Sequence, residues 1–348
     1  MHRVKHWLSE YPAVREVLLP ALSLLFGLQL VRLFIPAMTW VLGDRFEINA
    51  VGLGIIAVAG FGLSLAVIPL RRFLCGYKAL IFTAGGLSIV RLLAQINWGE
   101  PLINLLLATA GAALLGMFLA VYLDSARLKG GKTLSYLALG LLLGWALDVS
   151  LSGLFGTYDY IFQSGVIPIT IALLLALIQW LMLAVHNPIT AEPPATAKTF
   201  PWQAIGFFLF LEFIIFGNIA RLAALTDWTL PAAFGVVLAG QLAGLFAAAW
   251  LLNSKYCGSG SFNSIIGLLL LGSVILINST DSAPLIGLIL ILGQVSVALL
   301  LTAIISGIGN HNPKRSYKSA TLDNSVGMII FVILVLTYYA VYQISLPY

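Results

Sequence analysis

From Val166 to Val185 the chain runs for twenty residues without a charged side chain, and apolar runs of that kind recur from one end of the sequence to the other. A helix needs about 20 apolar residues to cross the hydrocarbon core of a bilayer. In that core the backbone must satisfy its own hydrogen bonds, so only helices or closed barrels span it. Run length and breakers decide here, and the chain is read as all-α. Composition points the same way: 60% of the 348 residues are apolar and 9% are charged. A soluble fold of this length has no place for so much apolar surface, which excludes a soluble enzyme, a disordered chain and a nucleic-acid-binding module.

The spans read from run length and breakers are 17–42, 49–70, 77–96, 102–123, 133–154, 165–186, 203–226, 230–252, 262–279, 284–307 and 325–345, about eleven in all. The first run is too long for a signal peptide core and is read as a retained span. The stretch Asn187 to Pro201, NPITAEPPATAKTFP, is a proline-rich solvated linker. It divides the chain into a six-helix half (1–186), a linker (187–202) and a five-helix half (203–348).

Loop charges set the orientation. With the N-terminus inside, inner segments carry Arg3, Lys5, Arg15, Arg71, Arg72, Lys78, Arg127, Lys129, Lys132, Lys198, Lys255, Lys314, Arg315 and Lys318, whereas the outer loops carry Arg45 and most of the acids. That asymmetry predicts a cytoplasmic N-terminus, a C-terminus outside and a place in the cell membrane. The net charge of +5 therefore reports topology rather than a nucleic-acid surface. Cys75 and Cys257 fall in predicted cytoplasmic loops, which excludes a disulfide framework.

A weak repeat relates the halves. Span one holds Phe26-Gly27-Leu28-Gln29 with Arg32 three residues on, and span seven holds Phe216-Gly217-Asn218 with Arg221 three residues on. Cys75-Gly76 and Cys257-Gly258 recur at a similar offset. Both halves begin inside, so the repeats are parallel. Six spans, a cytoplasmic linker and a parallel second half, one span short, resemble the major facilitator superfamily. Its loop signature G-x-x-x-D-R-x-G-R-R is matched in part by Pro69-Leu70-Arg71-Arg72-Phe73-Leu74-Cys75-Gly76-Tyr77-Lys78, which keeps the basic residues and Gly76 but lacks the leading Gly and the Asp. The resemblance implies two helical halves that expose a central cavity to alternate sides, with spans one and seven along it. More narrowly, Val31 to Pro36, Thr83 to Leu93 and Tyr338 to Pro347 resemble a multi-pass region that precedes endonuclease/exonuclease/phosphatase-type domains in some bacterial proteins.

Ionisable side chains inside the spans are the candidate functional residues, because each costs about 2.5–3.5 kcal/mol at a helix centre and therefore requires a partner or a wet cavity. Arg91 and Asp148 lie at similar depth and are expected to form an ion pair, as packing or as a coupling element. Arg32 and Glu212 lie near mid-membrane and are expected to face one another, across a cavity or as a clamp. Arg221, near an outer end, either joins the cavity or reaches toward Asp227. Gln29, Asn218, Gln241 and Gln294 supply amides to a cavity or glue helices together. Gly140-x-x-x-Gly144 and Gly240-x-x-x-Gly244 are close-packing faces, which the resemblance sets against each other. Pro36 and Pro168 are expected to kink their helices. His2, His6, His186 and His311 have no metal-ligand spacing, and no phosphate loop occurs, so neither an enzyme nor a metal or other cofactor is expected. The expected function is transport of an unidentified small solute by a permease embedded in membrane lipid. The alternative is a non-transporting scaffold or lipid-binding module partnering a separately encoded catalytic domain.

Overall fold

A computed structural model describes residues 12–31, 33, 76–97, 100–129, 131–155, 165–185, 230–254, 260–280 and 282–310. The described residues form eight long helices. These are α1 (Pro12–Val31), α2, α3 (Pro101–Lys129), α4 (Gly131–Phe155), α5 (Val166–Val185), α6 (Leu230–Leu252), α7 (Gly260–Asn278) and α8 (Ala283–Asn310). Helix α2 is built of three pieces: Gly76–Leu80, a π-helical segment Ile81–Gly85, and Gly86–Asn97. Among the described residues, seven helices are long and apolar enough to cross a membrane. The expected spans 49–70, 203–226 and 325–345 lie outside the described residues.

Prolines mark helix starts. Pro12 and Pro101 open α1 and α3, where the missing N–H is one of the orphan donors anyway. Pro168 is the third residue of α5. It therefore lies in the first turn and starts the helix rather than kinking it. The interior proline is Pro20 of α1. Its ring packs against Gly140 of α4, where a Cβ would stand 2.8 Å from Pro20 Cγ.

The π segment of α2 lengthens the helical loop and leaves carbonyls short of amide donors. Hydroxyls make up the difference. Thr83 Oγ1 donates to the Ala79 carbonyl at 2.8 Å and the Leu80 carbonyl at 3.3 Å, and Ser88 Oγ donates to Gly85 O at 2.9 Å. Gly85 within the segment leaves room for the Trp180 ring of α5.

The described residues fall in two compact units, one of α1 to α3, α4 through Asp148, and α5, the other of Val149–Phe155 and α6 to α8. In the first unit α1 is the central post. Gly27 meets Leu115 and Leu30 meets Gly111 of α3, while Gly140 and Gly144 of α4 meet Val17, Pro20 and Ala21. These pairings fix directions. Contacts between α1 and α4 advance together, so the two run parallel, whereas those with α3 run in opposite order. Arg15 with Val185 and Ser23 with Gln179 show that α5 opposes α1, and Tyr77 with Leu183 and Gly85 with Trp180 show that it opposes α2. Helices α1, α2 and α4 thus run one way and α3 and α5 the other, as the alternation of the expected spans requires.

Helix α5 shows why the fold belongs in lipid. Its buried stripe is Pro168, Ala172, Ala176, Gln179, Met182 and Leu183, mostly small or polar. Its outer face is Ile167, Leu173, Leu174 and Leu177, each more than half exposed. Without a hydrophobic drive between helices, small residues and amides hold the contact and large apolar residues face the tails.

In the second unit α8 lies against both α6 and α7. Gly240 and Gly244 of α6 meet Ile291, Gln294 and Ala298 of α8 in advancing order, so α6 and α8 run parallel. Leu251, Ile266, Leu299 and Ala303 form a buried cluster joining α6, α7 and α8, with Phe262 against it. Gly153 of α4 abuts Phe234 of α6. The two glycine faces do pack closely, but against other helices than expected: Gly140 and Gly144 receive α1, and Gly240 and Gly244 receive α8. A small-residue face fixes that a neighbour comes close, not which neighbour.

Candidate functional site

Buried polar side chains in a lipid-embedded bundle are the places where function and packing compete. In the first unit two such groups join a charged side chain to neighbouring helices. Arg91 of α2 is 1% exposed. Its Nε donates to Gln29 Oε1 of α1 at 2.7 Å and its Nη1 to Gln95 Oε1, one turn on, at 2.9 Å. Both of these acceptors are neutral amides, so the guanidinium meets amide dipoles on two sides. Gln29 and Gln95 are themselves buried, which keeps competing water away and strengthens each bond.

The second group lies where α1 begins. Glu16 is buried and one carboxylate oxygen accepts from Arg15 Nη2 at 3.0 Å, while the other accepts from the Tyr122 hydroxyl of α3 at 2.5 Å. Arg15 Nη1 donates to the carbonyl of Val185, the last residue of α5, at 3.1 Å. That carbonyl is one of the helix's orphan acceptors, and a cation there also suits the negative end of the helix dipole. Three helices are thereby tied at one end of the unit. Sequence reading placed Arg15 among the loop charges and began the span at Val17, so it missed Glu16. The available signal was Pro12, whose preference for the first helical position puts both residues inside α1.

The described residues of the second unit contain no Asp, Glu, Lys, Arg or His. Their buried polar groups are neutral. Gln241 of α6 is 4% exposed and Gln294 of α8 is 3% exposed. Neither amide atom of Gln241 has a hydrogen-bond partner, nor does Gln294 Oε1.

The expected site residues thus fall as follows. Gln29 is brought to Arg91 inside the first unit. Asp148 is fully buried on α4, in the same unit as Arg91. Gln294 lies buried in the second unit with Gln241. Arg32, Glu212, Asn218 and Arg221 lie outside the described residues, as does Pro36. Among the described residues no group of three or more His, Cys, Asp or Glu gathers as a metal site would require.

No family model and no curated protein matches this sequence. Among solved structures the chain is similar to the crystal structure of a bacterial homologue of the human lysosomal transporter Spinster, in an inward-facing and unoccupied conformation. The superposition has a TM-score of 0.51 at 16% sequence identity and covers 91% of this chain and 79% of that one. At that identity the likeness is one of fold. The described residues are all helical, seven of the helices are long and apolar enough to cross a membrane, and the fold is like that of the transporter structure. The narrower resemblance, to a region preceding phosphatase-type domains, has no counterpart in these comparisons.

Proposed function

We propose that this protein is a membrane transporter for a small solute, working by alternating access between a six-helix half (1–186) and a five-helix half (203–348) joined by the linker 187–202. The observation that carries the reading is the fold likeness to a transporter over 91% of the chain. The described residues fall in two compact units that follow the two halves except for Val149–Phe155 at the end of α4, a division in keeping with alternating access, which requires bodies that move as wholes. In this reading the N-terminus is cytoplasmic, the C-terminus lies outside and the protein resides in the cell membrane, as the loop charges favour. Arg32 and Glu212 face a central cavity, with Asn218 and Arg221 beside it, and Arg91 and Asp148 form a structural ion pair. No catalytic role is assigned.

The test uses accessibility rather than a solute. In a Cys75→Ser, Cys257→Ser background, Arg32→Cys is exposed to a membrane-impermeant thiol reagent in oriented vesicles. A transporter offers a mid-membrane cavity position to both faces in turn, so labelling is expected from either side. Labelling from one face or from neither would refute alternating access and leave a static scaffold.

A further inference from the structure

We propose that Gln241 and Gln294 form a binding point at mid-depth of the second unit for an uncharged, mainly apolar molecule that carries a hydroxyl or amide group. The inference deepens the transport reading by naming a solute class, and it rests on that reading only for the carriage of what is bound.

Depth comes first. The apolar spans of α6 and α8 are Ala232–Leu252 and Ala283–Ala303. Gln241 and Gln294 each lie one residue from the centre of their span. The two helices run parallel, and the stem of Gln294 lies over Gly240, where a Cβ would stand 3.0 Å from Gln294 Cβ and Cγ. Gln241 is the next residue, so the two amides share one level of the same helix pair.

Chemistry comes second. A glutamine amide offers two N–H donors and two acceptor lone pairs. Here one Nε2 and two Oε1 atoms are buried and unpartnered. A buried unpaired amide is destabilising, and at mid-bilayer there is no bulk water to relieve it. Asn104 and Gln179 each leave one buried oxygen unpartnered, and Gln179 Nε2 donates to Ser23. On Gln241 both amide atoms are buried and unpartnered.

The surroundings then select the ligand. Buried side chains within four positions of the two glutamines are those of Val237, Leu290, Val297 and Ala298, with the small hydroxyl of Ser296, which donates to the Leu292 carbonyl. Two acceptors and a donor set in apolar walls suit a group that both donates and accepts, attached to an apolar body. No ionisable side chain occurs among the described residues of this unit, so a charged group here would lack a counter-charge.

The experiment uses the full chain in detergent, with 1-monooleoylglycerol as probe and oleate at pH 8 as its charged counterpart. The monoglyceride is expected to raise Tm by a few degrees, and oleate is not. Gln241→Leu and Gln294→Leu are expected to melt at or above the wild-type temperature without ligand, because each removes unpaired polar atoms. Both should weaken the probe by at least about tenfold. If Gln241→Leu does not fold, Gln241→Met takes its place. No monoglyceride shift in the wild type, an equal shift with oleate, or an undiminished shift in both glutamine variants would each overturn the proposal. Monoglyceride binding without two-sided labelling of Arg32→Cys refutes the transporter alone. Two-sided labelling without monoglyceride binding refutes this site alone.

Discussion

Replacing Gly140 by alanine tests whether the contact between α1 and α4 is as close as it stands. The added Cβ would lie 2.5 Å from the Val17 carbonyl oxygen and 2.8 Å from Pro20 Cγ. Ordinary contact begins at 3.4 Å, so a gap of ~0.9 Å must be opened. The obstacles are a backbone carbonyl and a ring locked to its own backbone, and neither can swing aside. The helices must part, and the neighbouring contact of Gly144 with Ala21 must loosen with them. Overpacking of this kind costs about 1–3 kcal/mol, against a helix-propensity gain of up to about 1 kcal/mol for Gly to Ala. A net loss of about 1–2 kcal/mol is expected, seen as a fall of several degrees in thermal unfolding in detergent. Gly267→Ala is the control, because nothing lies within 4 Å of its Cβ and the propensity gain should stand alone. Gly27→Ala should fall between, since its Cβ meets the movable tip of Leu115. If Gly140→Ala melted at or above Gly267→Ala, the reasoning would be refuted.

Three other outcomes are expected. Tyr122→Phe removes the hydroxyl that donates to buried Glu16 and should cost about 1.5–3 kcal/mol, the range for bonds to charged groups; an unchanged Tm would show the bond to be idle. Gln29→Leu takes the acceptor from Arg91 Nε and should destabilise by a similar amount, with a smaller loss for Gln95→Leu, which still leaves α1 and α2 joined through Gln29. For the proposed ion pair, a double-mutant cycle of Arg91→Leu and Asp148→Leu should show coupling above about 0.5 kcal/mol, and strict additivity would dismiss the pair.

Run length carried most of the fold. Six of the eight described helices coincide with expected spans to within about three residues, because the bilayer imposes one length on every crossing; α3 runs on to Lys129, and α1 is described over Pro12–Val31 of an expected 17–42. The departures have local causes. Helix α1 begins at Pro12 rather than Val17 because Arg15 and Glu16 neutralise one another and enter the helix together. The π segment Ile81–Gly85 has no signature in a run that is apolar on every side. Partner choice was least legible. From the sequence Gln29 is expected at a cavity and nothing ties it to Arg91, but the structure brings the two together. Which face of α1 turns toward α2 depends on helix rotation, and rotation leaves no trace where all faces are apolar. Gln241 and Gln294 did stand out as lone amides in apolar runs, though the sequence did not reveal that both are buried on the same helix pair.

The two units handle polarity in different ways, and the difference bears on where a solute can be held. In the first unit two of the buried charges meet neighbours of the same unit: Glu16 meets Arg15 and Tyr122, and Arg91 meets Gln29 and Gln95. An anionic solute approaching Arg91 at Nε or Nη1 would have to displace one of those amides, forfeiting about 1.5–3 kcal/mol before any gain of its own. The second unit, among its described residues, avoids the insertion cost of charge by carrying none. The burden it does accept is the burial of the unpartnered Gln241 amide. A ligand that meets that amide has no protein bond to break, so the whole of the new hydrogen bond counts toward affinity. On that ground a neutral molecule in the second unit is favoured over an anion at Arg91.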